Sequence, residues 1–90
     1  MKVIYKYIIK EGYHNQVIST YAAAIPLSVG LDPSGQLCIW LLVDKDLPMM
    51  EATIHCVGTG QPLPHHDCTK SNYVGSVASS IYIWHIFFTL

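Results

Sequence analysis

Arginine is absent from the 90 residues; the five basic side chains are Lys2, Lys6, Lys10, Lys45 and Lys70. Arginine's planar fork is the usual tool for bidentate contact with phosphate and guanine. The formal net charge of −1 also leaves no basic excess. Together these exclude long nucleic acid as a partner. A small nucleotide is excluded less strictly, because backbone N–H groups and one lysine can hold a phosphate. Charge of either sign is scarce: 12% of residues against about 25% in an ordinary soluble domain. Much of the surface must then be apolar or uncharged, which predicts a homo-oligomer or another protein partner.

Cysteine is scarce too. Cys38, Cys56 and Cys68 form an odd set without C-x-x-C spacing, which excludes a disulfide scaffold and gives no structural zinc signature. Free thiols in a reducing compartment are expected, with no metal and no cofactor. Long apolar runs are missing as well. The longest, Ile81–Phe88, falls short of the roughly 20 residues of a membrane helix. Lysines at every fourth position of MKVIYKYIIK interrupt any signal-peptide core. A soluble, intracellular protein without a membrane partner is expected.

Helical periodicity is the last absence. Ala22–Ala24 is the only helix-friendly stretch, and Pro26 follows it. The period that is present is two. Val3, Tyr5, Tyr7 and Ile9 alternate with Lys2, Ile4, Lys6, Ile8 and Lys10, one face apolar and the other lysine-rich. Gly12–Asn15 resembles a turn, and Gln16–Tyr21 a strand. Leu27–Leu31 and Gln36–Asp44 flank Asp32-Pro33-Ser34-Gly35, whose residue types fit a type I turn followed by a left-handed glycine. Gln36–Asp44 is apolar on both faces, so a central strand is predicted. Met50–Val57, Tyr73–Ala78 (interrupted by Gly75) and Ile81–Phe88 complete six or seven strands. The prediction is a single all-β domain over residues 1–90, a small antiparallel β-sandwich or open barrel with essentially no helix.

Gln61–Asn72 is the longest stretch without period, and binding groups usually sit on such segments. Gly58-Thr59-Gly60 precedes it and offers unobstructed backbone donors to a phosphate, but it lacks the GK[ST] ending of a P-loop. A tight turn out of a strand explains the same residues. Lys70 supplies a cation, and Tyr73 or Trp40 a surface for stacking on a base. These six residues make the candidate ligand site, with packing in a core or interface the competing role for the aromatics. His65, His66, Asp67, Cys68, His55, Cys56 and His85 include metal-ligand types. Adjacent His65 and His66 point apart in an extended chain, so no metal site is expected. A cysteine–histidine nucleophile built on Cys56 or Cys68 lacks a nucleophile elbow, and no enzyme is expected.

Four fragments in order carry a resemblance: Cys38-Ile39-Trp40-Leu41-Leu42-Val43-Asp44; Val57-Gly58-Thr59-Gly60-Gln61-Pro62-Leu63-Pro64; Tyr73-Val74-Gly75-Ser76; and Trp84-His85-Ile86-Phe87. Together with Tyr5-Lys6-Tyr7, they resemble a family of small phage proteins, a domain of unknown function, over nearly the whole chain. Gln61 stands where that family often has histidine, and Ser76 where it has threonine. The resemblance implies a phage-encoded, non-enzymatic protein acting in the host cytoplasm. Such a protein would act against host defence, by sequestering a small anionic nucleotide in an oligomer. The alternative is inhibition of a host protein, or a structural role in the phage particle, without a small ligand.

Overall fold

Alternation of side chains along strands decides how this chain layers. In the computed structural model, which describes residues 1–90, seven strands form: β1 (Lys2–Ile8), β2 (His14–Tyr21), β3 (Ile25–Leu31), β4 (Leu37–Asp44), β5 (Met49–Gly58), β6 (Tyr73–Ser79) and β7 (Tyr82–Thr89). The only helical element is a three-residue 3₁₀ turn at Lys70–Asn72. No helix is long and apolar enough to cross a membrane. The strands make two antiparallel sheets, ordered β1-β4-β3 and β2-β5-β7-β6, packed as an all-β sandwich.

The inward sets match the two-residue period. Val3, Tyr5 and Tyr7 of β1, Ile39, Leu41 and Val43 of β4, Ala52, Ile54 and Cys56 of β5, and Trp84, Ile86 and Phe88 of β7 share one core. Central β4 is apolar on both faces, as predicted, but only one face lies in that core. Trp40 and Leu42 on the other side stay partly exposed. The β3–β4 turn has the expected chemistry. Asp32 O accepts the Gly35 N–H at 2.8 Å, and Gly35 sits at φ 83°, where a Cβ is unfavourable.

Several boundaries move. β2 begins at His14, because His14 pairs with Cys56 and extends the β2–β5 ladder; the preceding turn therefore lies before it, not across Gly12–Asn15. β3 begins at Ile25 and includes Pro26. An edge strand tolerates the missing N–H, and the register shifts between Pro26 and Ser28. Gly75 marks a bulge in β6. A Cβ there would lie 3.1 Å from Val29 Cγ2, so this glycine lets the β6 edge approach β3 of the other sheet. Ile81 belongs to the β6–β7 turn with Ser80 at φ 57°, and is not the first residue of β7. At the opposite side, the Gln16 side chain joins β2 to the end of β1, accepting from Lys10 N–H and donating to Ile8 O.

Candidate functional site

β5 and β7 each present a second row outward, away from the main core. Thr53, His55 and Val57 lie on one strand, His85, Phe87 and Thr89 on the other. The Thr59–Asn72 segment folds back across this row. Cys68 inserts against Val57 and Phe87, and the three make a second buried cluster. Asn15 Nδ2 on β2 donates to Pro64 O at 3.1 Å and ties the segment to the sheet, and Asn72 Nδ2 donates to Asp67 O at 2.8 Å and closes the segment on itself. Phe87 on the outer face of β7 is therefore covered from within the chain, while Ile83 on the same face stays exposed.

At the start of this segment a depression of about 220 Å³ is lined by Gly58, Thr59, Gly60, Gln61, Leu63, His85 and Phe87, among others. Thr59 Oγ1 and His85 Nε2 are 2.7 Å apart. The Tyr73 ring lies 5.2 Å from that of Phe87 and 6.4 Å from that of His85. The sequence-derived site is brought together in part. Gly58, Thr59 and Gly60 line the depression and Tyr73 borders it. Lys70 is exposed in the 3₁₀ turn and is not part of the lining. Trp40 lies on the outer side of the other sheet, opposite Lys6 and Ser28, so it shares no site with Gly58 in one protomer.

The donors of Gly58-Thr59-Gly60 also differ from expectation. Gly58 N–H is taken by Gln61 Oε1 at 2.6 Å, and Thr59 N–H by Ile83 O at 3.2 Å. Gly60, at φ 89°, keeps its N–H clear of any partner in the chain. The loop is thus a turn closed by the Gln61 side chain, with one spare backbone donor rather than a ring of three.

The remaining polar groups cluster around His55. Its side chain is buried, with Nδ1 2.7 Å from Asn15 Oδ1 and Nε2 3.2 Å from Thr89 Oγ1, so both ring nitrogens are used. Burial, aided by the neighbouring His65, lowers its pKa and favours the neutral ring. His65 stacks on His55 at 5.1 Å between ring centres, and the His66 ring follows at 4.1 Å. An extended backbone would point His65 and His66 apart. Here the segment bends, with Cys68 N–H donating to His65 O, and both rings lie on one side.

None of the thiols is activated. Burial raises the pKa of Cys38 and Cys68, and pushes Cys56 up to about 11. A thiolate nucleophile requires the opposite shift.

No curated protein and no solved structure matches the chain. The family described as a domain of unknown function, DUF7352, matches residues 1–89, and the chain belongs to that family.

Proposed function

We propose that this chain is a non-enzymatic binding protein that works as an assembly of copies and takes a small, flat, anionic ligand of nucleotide type beside residues 58–63. The observation that carries this reading is the depression itself. Its wall has Phe87 and His85 with Tyr73 alongside, and its rim has the free Gly60 N–H and the Thr59 hydroxyl. Rings suit a base, and the rim donors suit a phosphate or carboxylate oxygen. At about 220 Å³ it is smaller than the roughly 300–1,000 Å³ of a typical ligand pocket. A second copy closing over it would supply the missing wall. The raised thiol pKa values favour binding over nucleophilic chemistry. A phage origin and a role in removing a host signalling nucleotide are the finer form of this proposal, carried by the family resemblance.

Isothermal titration against cyclic and linear signalling nucleotides tests it. One nucleotide should bind, and Thr59→Ala, at an exposed position, should weaken that binding by about tenfold, the loss of one charge-assisted hydrogen bond. Heats at baseline across the panel would overturn it.

One other observation favours a second reading, a protein partner without a small ligand. Ile4, Ile8 and Ile25 are 59%, 49% and 52% exposed on the outer side of the three-stranded sheet, around the partly exposed Trp40 and Leu42. Beside them a depression of about 230 Å³ is lined by Lys2, Ala23, Ile25, Leu42 and Leu47, among others. Under this reading, substitution at Trp40 abolishes biological activity while Thr59→Ala leaves it intact.

A further inference from the structure

We propose that His65, His66 and Asp67 form an open three-ligand site for a late first-row divalent metal, with Zn²⁺ the ion whose preferences it fits. The three side chains place one ligand atom each within 4.8 Å of one another. His66 Nε2 lies 3.3 Å from Asp67 Oδ1, and His65 Nδ1 lies 3.6 Å from Asp67 Oδ2. Neither approach has the geometry of a hydrogen bond, yet each matches the edge of a tetrahedron. Ligand bonds of about 2.0–2.2 Å give an edge of about 3.4 Å. Closing the remaining nitrogen–nitrogen gap needs only rotation of His66, whose side chain is 84% exposed.

The backbone and the His65 ring are set before any ion arrives. His65 lies flat on buried His55, and its Nδ1 accepts the Asp67 N–H at 3.1 Å. That contact puts the lone pair on Nδ1, the atom facing Asp67, and a cation would take over the same lone pair. The Cys68 side chain below and the Asn72 bond to Asp67 O hold the bend closed. Two imidazoles and a carboxylate select Zn²⁺, Ni²⁺ or Cu²⁺ over Mg²⁺ and Ca²⁺, which prefer all-oxygen shells. Three protein donors leave at least one position for water or an incoming ligand, as in catalytic rather than structural zinc sites. The site goes beyond the nucleotide reading and stands without it.

The test is calorimetric titration of the chelator-treated 90-residue chain with Zn²⁺, followed by the Co²⁺ absorption spectrum. One Zn²⁺ per chain should bind. His66→Ala and Asp67→Asn should each weaken it by more than the tenfold that loss of a supporting group costs. His14→Ala and His85→Ala should leave it unchanged. Circular dichroism of the metal-free variants establishes that they fold. Bound Co²⁺ should show ligand-field bands without thiolate charge transfer. Binding that survives both site variants, thiolate bands, or no Zn²⁺ uptake at 100 µM, a working concentration about tenfold above a 10 µM dissociation constant, would overturn the assignment.

Discussion

Asp32 concentrates more polar work than any other side chain. Its carboxylate is almost fully buried and accepts from Lys6 Nζ at 2.8 Å, from Ser34 N–H and hydroxyl, and from Gln36 N–H. The Lys6 ammonium, then Ser34 and Gln36, hold its pKa well below the usual carboxylate range. A carboxyl with a depressed folded pKa stabilises fully above its unfolded value of about 3.9, and that contribution is lost as pH falls toward the folded value. Urea denaturation should therefore show the wild type losing stability between pH 5 and pH 2.5 (a range bracketing about 3.9) more steeply than Asp32→Asn. Equal slopes would show that other carboxylates carry the acid response. The core makes a simpler prediction. Leu41 is fully buried, and Leu41→Ala should cost about 2–5 kcal/mol by denaturant titration. The turn role of Asp32 was legible in the sequence, because Asp-Pro-Ser-Gly declares its own backbone. Its pairing with Lys6 was not, since the partners are 26 residues apart and only the β1–β4–β3 order brings them together.

Among the elements, strands with a clean period were legible and covered surfaces were not. β1, β4 and β7 have the inward residues their alternation requires. β7 carries apolar residues on both faces: Trp84, Ile86 and Phe88 enter the core, Phe87 is covered by the chain's own segment 59–72, and Tyr82 and Ile83 stay about half exposed. Alternation reports that a face is buried and is silent about what buries it. The same limit hid the His65–His66 contact, which arises from a bend that no periodic pattern encodes. The Gly58–Gly60 turn was located correctly, but the Gln61 side chain that takes the Gly58 donor was not anticipated. If Val57, Cys68 and Phe87 pin the segment, Phe87→Ala should release it without unfolding the sandwich. Hydrogen exchange should then accelerate at amides 65–72, while amides of β4 keep their protection. Equal acceleration in both would place Phe87 in the cooperative core instead.

At the scale of the molecule, the quantity of surface is ordinary and its composition is not. The chain exposes 5,231 Å², close to the roughly 5,300 Å² that the mass scaling of monomeric proteins gives. The unusual feature is how that area is filled: Ile4, Ile8, Ile25 and Leu27 stand exposed around the three-stranded sheet, with Lys2 and Lys6 beside them on β1. The second sheet covers one side of β4, and segment 59–72 covers Val57 and Phe87 on the outer side of the second sheet, where Val17 and Ile83 stay exposed. On the outer side of the first, Cys38 is buried beside the Lys6–Asp32 pair, and the rest of the face stays partly or largely exposed. An apolar face left over after every internal element has been placed is most simply met by another copy, since copies are always present at matching concentration. Light scattering at micromolar concentration should give a mass above that of one chain. Ile4→Lys combined with Ile25→Lys should return it to the monomer with an unchanged β-sheet spectrum, because both side chains point away from the core. A wild-type monomer would leave this face to a different protein, and would remove the second wall that the depression beside Thr59 needs to enclose a nucleotide.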